Sequence, residues 1–202
     1  MRTFFYSIIY LIFPILFFLL FWWGSIPFVR GEGVWRFALI GMLFGILLDL
    51  AFIRKRIQNV YNIRYPLLIA VYLFYSVCVF GFFMGVPIFN LLLGPLAGFY
   101  IGQRIKINGL PGIEAAILIR KTAYFTGGIM FLICFTSGVI ALLSPSTPRD
   151  LEGMFMRTFT VTWNTVIAVI LLGGAALIVG TYLTTRIAAD YIQKKHQLAE
   201  SR

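Results

Sequence analysis

The sequence predicts an all-α membrane protein of six transmembrane helices, built as three helical hairpins with small-residue helices 2, 4 and 6 packed centrally. Three observations carry this. The chain is 60% hydrophobic and 12% charged, against about 25% charged in ordinary soluble domains. Six apolar runs, near residues 4–23, 36–53, 65–85, 87–105, 123–143 and 163–185, approach the roughly 20 residues that cross a bilayer as a helix. Small residues recur at every fourth position in the second, fourth and sixth runs, the spacing that stacks them on one helix face and admits a neighbouring backbone. A spanning chain of 202 residues is most simply one unit, so residues 1–202 are expected to form a single six-helix domain. Within it, residues 186–202 form a polar cytoplasmic tail.

The first run, Phe4 to Trp23, is rich in Phe, Ile and Leu, with Pro14 near its centre. It is longer than a signal-peptide core and is followed by no small-x-small cleavage site, so it reads as a retained helix facing lipid. The second run carries Gly41, Gly45 and Asp49 four residues apart and ends in Arg54-Lys55-Arg56. The third and fourth runs are separated only by Gly85-Val86-Pro87, a tight turn between antiparallel helices.

The fourth run holds the clearest ladder: Asn90, Gly94, Gly98 and Gly102. Pro95 is expected to break this helix near its middle, free the carbonyl of Leu91 and provide a hinge. From Pro111 to Leu143 one helix would measure roughly 50 Å, well beyond a bilayer core. Residues 111–121 are therefore expected at the inner interface or projecting from it, with a bend at Gly127-Gly128. The loop before the last run carries a helix start: Thr147 as cap, Pro148 in the first position and Asp150 completing a capping box. Leu151, Met154 and Phe155 then share one face of a short amphipathic helix, a connector or a lid over the bundle mouth. The sixth run continues the small-residue pattern through Asn164, Ala168, Leu172, Ala176, Gly180 and Thr184.

An internal repeat links two of these runs. At an offset of 82 residues, Gly98, Tyr100, Arg104 and Ile105 fall on Gly180, Tyr182, Arg186 and Ile187. Gly94 falls on Ala176, and Gly41 and Gly45 fall on Gly94 and Gly98 at an offset of 53. Parallel repeats of this kind relate the halves of some transporters.

The formal charge of +10 sits in short clusters between apolar runs, which assigns it to membrane topology rather than nucleic acid. With the N-terminus inside, thirteen basic residues lie on the inner side and four on the outer. That bias places both termini in the cytoplasm of a plasma (inner) membrane protein. Trp22, Trp23, Trp35 and Trp163 then all fall at outer helix ends, where amphipathic rings prefer the headgroup zone. Arg54, Arg104 and Arg186 would form an inner basic ring able to meet anionic lipid or a protein partner.

The material for catalysis is thin. His196 is the single histidine, and no HExxH, Walker loop, GxSxG or paired intramembrane carboxylates occur, so neither enzyme, metal nor cofactor is expected. Cys78 and Cys134 have no metal-binding spacing and read as inert thiols. Asp49 is the one acidic residue inside a run, and an ionisable group in lipid is a candidate site by default. Its alternative is an ion pair with Arg104 or Arg186. Asn90 and Asn164, near the outer helix ends, complete a candidate solute or ion site. Gly41, Gly45, Gly94, Pro95, Gly98, Gly102, Ala176 and Gly180 supply packing and hinge. The expected function is transport of a small solute or ion through the bundle. The alternative is a non-catalytic structural or accessory subunit that recruits a partner or anionic lipid.

Overall fold

A computed structural model describes residues 2–29, 33–53, 59–154 and 160–200. Among these every regular element is helical. Five helices are long and apolar enough to cross a membrane: Thr3–Ser25, Val34–Ala51, Tyr65–Phe82, Gly112–Leu143 and Trp163–Lys194. Between 6% and 22% of their most apolar windows is buried within the chain. Phe131, Leu132, Phe135 and Leu171 all stand more than half exposed. Apolar surface of that extent belongs against lipid, and the chain is an integral membrane protein.

The chain forms two compact units, Met1–Phe74 and Tyr75–Arg202. The first opens with α1 (Arg2–Tyr10) and α2 (Ile12–Ser25), which run on through Leu11. The break at Leu11 has a local cause: Pro14 has no N–H to donate to the carbonyl of Tyr10. After a connecting loop, α3 (Val34–Leu48) returns and ends in a π-helical turn over Asp49–Ile53. The glycine face of α3 is covered by α2. A Cβ on Gly41 would meet the carbonyl oxygen of Phe17, and one on Gly45 would lie 2.5 Å from that of Phe13. The two backbones therefore touch, and the Phe17 and Phe44 rings close the seam edge to face at 5.1 Å. The first run, expected to pack outside and face lipid broadly, fills the glycine ladder of the second. A short 3-10 turn, Val60–Asn62, follows, with the Asn59 side chain accepting from the Tyr61 N–H at 3.1 Å.

The helix α4 (Tyr65–Phe82) leads into the second unit. It ends in a Schellman arrangement with Met84 in the left-handed region at φ 54°. The Gly85 N–H donates to the Phe80 carbonyl at 2.8 Å and the Met84 N–H to that of Gly81 at 3.3 Å. This is the tight turn the sequence predicts at Gly85-Val86-Pro87, and the Ser137 hydroxyl ties it down by donating to the Gly85 carbonyl at 2.8 Å.

The fourth run departs from expectation. Pro87–Leu92 wind as a 3-10 helix, and α5 (Leu93–Asn108) becomes α-helical only at Leu93. Pro95 consequently lies in the first turn of α5, where its missing N–H breaks no helical hydrogen bond. The mid-helix kink expected at Pro95 is replaced by this 3-10 to α junction. Gly109, at φ 60°, closes α5 with a second Schellman arrangement.

The helix α6 (Gly112–Leu143) runs unbroken through Gly127 and Gly128, so no break in the helix occurs at the glycine pair. Its 32 residues span roughly 48 Å. The helix α7 (Thr147–Met154) begins one residue earlier than the capping pattern implies. Ser146 takes the cap position and donates to Asp150 Oδ2 at 2.8 Å. The Thr147 hydroxyl turns back to the Ala141 carbonyl at 2.6 Å. Near its other end, Glu152 Oε1 accepts the Val161 N–H at 2.5 Å. Phe155, assigned to the apolar face of this segment, lies outside the described residues.

The last helix is one rod in three parts: α8 (Trp163–Ala168), a π-helical turn over Val169–Gly173, and α9 (Gly174–Glu200). The segment expected to be a polar tail continues α9, and Ala188, Ala189 and Ile192 within it are buried.

Candidate functional site

The centre of the second unit is the meeting of α5, α6 and α9. Gly94, Gly98 and Gly102 line the face of α5 that α9 covers. A Cβ on Gly94 would lie 3.1 Å from the Thr181 carbonyl oxygen, and one on Gly102 would lie 3.0 Å from that of Ala189. At Gly98 a Cβ would run into the Thr185 carbonyl oxygen itself. Such separation is open only to glycine, and it leaves no width for a solute between these two helices.

Threonine hydroxyls seal the same contact. Thr126 of α6 and Thr185 of α9 are fully buried, with their Oγ1 atoms 2.9 Å apart. With one proton on each hydroxyl, one donates across this contact while the other donates within its own helix, Thr185 to the Thr181 carbonyl at 2.8 Å or Thr126 to that of Ala123 at 3.1 Å. Each hydroxyl thereby has a partner in a region without water, where an unmade hydrogen bond is costly. The sequence reasoning missed this cluster. Its signal was Thr181 and Thr185 one turn apart, one residue off the predicted row of Ala176, Gly180 and Thr184. Ala176 is exposed and Gly180 half-buried, with its nearest neighbour Leu91 Cδ1 at 3.4 Å from a built Cβ.

A second buried polar group lies where α4 faces the 3-10 segment. Asn90 is 3% exposed and Ser76 2%. The Asn90 amide nitrogen donates to the Ser76 carbonyl at 2.8 Å. Asn90 Oδ1 and Ser76 Oγ are both buried and have no hydrogen-bond partner among the described residues. Asn164 stands exposed on α8 and is not drawn into this group. In the first unit, Asp49 is 5% exposed at the start of the π-helical turn that ends α3.

Of the expected basic ring, Arg104 is buried on α5, whereas Arg186 on α9 is exposed and lies 3.8 Å from Asp190 of its own helix. Arg54 lies outside the described residues. No group of three or more His, Cys, Asp or Glu side chains suited to a metal ion occurs among the described residues. Cys78 and Cys134 are free and half-buried.

One flank of α6 and α9 carries an open groove of about 590 Å³ lined by Tyr124, Gly127, Gly128, Phe131, Ile178, Val179 and Tyr182. Its floor exists because Gly127 and Gly128 present no side chain. Nothing lies within 4 Å of a Cβ built on Gly128. Comparison with protein-family models, curated proteins and solved structures finds no match.

Proposed function

We propose that this integral membrane protein is a non-catalytic accessory subunit. Its helices hold one another through glycine and threonine contacts, and its basic face engages a protein partner or anionic lipid. The observation that carries this reading is the Gly98 to Thr185 backbone contact. A conduit needs a polar path between helices, and this ladder is filled to its backbone. In the same reading the fourth run is a sixth span. Six 3-10 residues and the sixteen of α5 rise roughly 36 Å together. The excess of Lys and Arg on one side favours both termini in the cytoplasm of a plasma membrane.

Transport of a small solute or ion is the second reading, favoured by the unpartnered Asn90 Oδ1 and Ser76 Oγ. A thermal-shift screen of the detergent-solubilised protein against inorganic ions and small polar solutes separates the two. The accessory reading expects no solute-specific stabilisation. A solute that raises the melting temperature of the parent protein but not of Asn90→Ala, and that crosses proteoliposomes, would overturn it.

A further inference from the structure

The geometry points to the groove between α6 and α9 as a seat for one acyl chain of an anionic phospholipid, with the headgroup held by Arg120, Lys121 and Arg186. The site deepens the accessory reading and rests on it for the basic face being one that engages lipid. Along α6, Tyr124, Gly127, Gly128 and Phe131 line the groove. Arg120 and Lys121 precede Tyr124 by four and three residues, which places them one turn below on the same stripe. Along the antiparallel α9, Ile178, Val179 and Tyr182 line the opposite wall, and Arg186 follows Tyr182 by four residues. Three exposed cations therefore lie one turn beyond the same end of an apolar furrow.

The dimensions suit a lipid chain better than a helix. From Tyr124 to Phe131 the furrow runs roughly 10 Å along α6. At its cationic end the Tyr124 and Tyr182 rings stand 5.2 Å apart. A packed helix needs interaxial room of about 8–10 Å along its length. A second copy of this chain docked here in the same bilayer orientation would bring the two cationic trios together, whereas a phosphate neutralises them. The two phenols lie between tail and headgroup, the position amphipathic rings favour at a membrane boundary. Asp190 takes part of the charge of Arg186 at 3.8 Å, so Arg120 and Lys121 carry more of the phosphate interaction.

Native mass spectrometry of the purified full chain tests this, with phosphatidylglycerol or phosphatidylcholine of identical acyl chains added to the detergent. Retention of phosphatidylglycerol is expected to exceed that of phosphatidylcholine by about 25-fold, since Arg120 and Lys121 each contribute about fivefold near an anionic headgroup. Gly128→Leu fills the furrow from an open position and should lower retention of both lipids. Gly128→Ala should lower it less, and unchanged melting temperatures identify the folded variants. Arg120→Gln with Lys121→Gln should abolish the preference but leave tail-dependent retention. Lys106→Gln, an exposed cation on α5, should change neither. If phosphatidylglycerol binds but Gly128→Leu has no effect and Lys106→Gln weakens it as much as Arg120→Gln, the groove is refuted while a lipid-binding basic face stands. If phosphatidylglycerol is not retained at all, the groove and the lipid arm of the accessory reading both fall. A dimer that Gly128→Leu dissociates in the absence of lipid would assign the groove to a second copy instead.

Discussion

The hydroxyls of Thr126 and Thr185 lie 2.9 Å apart in a fully buried contact between α6 and α9. Around them the Thr185 carbonyl receives the bare face of Gly98. One residue thus serves two interfaces, its side chain bonding α6 and its backbone abutting α5.

Replacing either threonine with valine keeps the shape and removes the bond. Each single change should cost about 0.6 kcal/mol, up to about 1.7, the range for hydrogen bonds between membrane helices. The double variant should cost less than the sum, because the bond the two hydroxyls share is lost only once. Reversible unfolding in detergent measures this cycle, and strictly additive costs would remove the bond from the account.

Gly98→Ala should destabilise the protein by about 1–3 kcal/mol through overpacking, since its Cβ meets backbone that cannot rotate away. Gly128→Ala is the matched comparison, with nothing within 4 Å of the new methyl, and should leave stability unchanged or raised through helix propensity. Equal effects at the two sites would show that α5 and α9 are not in backbone contact.

Ser76→Ala should be neutral or stabilising, because its hydroxyl is buried without a partner and its removal strands nothing. Asn90→Ala should cost at least about 1 kcal/mol, since it breaks the bond to the Ser76 carbonyl and leaves a cavity. A Ser76→Ala variant destabilised as much as Asn90→Ala would mean that the hydroxyl holds a bound water or solute.

Met84→Gly should stabilise the turn after α4 by about 1 kcal/mol. The methionine occupies the left-handed region at φ 54°, which costs a side chain about that much. It is 95% exposed, so its loss forfeits no packing. An unchanged melting temperature would place the turn elsewhere in conformational space.

The membrane class, the helical runs and the turn at Gly85 were legible because each rests on local chemistry: apolar length, and residues that stop a helix. The partners of the glycines were less so. Gly41 and Gly45 present a bare face to whichever helix approaches, and nothing in their spacing names Phe13 and Phe17. The row Asn164, Ala168, Leu172, Ala176, Gly180 and Thr184 assumed one α-helical period throughout. The π-helical turn at Val169–Gly173 adds a residue to one turn and rotates what precedes it by about 100°. Asn164 and Ala168 consequently share no continuous face with Gly180 and Thr184.

By itself the sequence determined that this chain lives in a bilayer as packed helices, because hydropathy and the need to satisfy backbone hydrogen bonds in lipid leave little else. Only the tertiary structure decided which faces meet. It turned the ladder of Gly94, Gly98 and Gly102 onto Thr181, Thr185 and Ala189, left Ala176 exposed, and opened the furrow beside Gly128. Those outcomes depend on the azimuth of each helix about its axis. That azimuth is set by π-helical and 3-10 turns and by the summed fit of distant side chains, which a residue spacing along one helix does not encode.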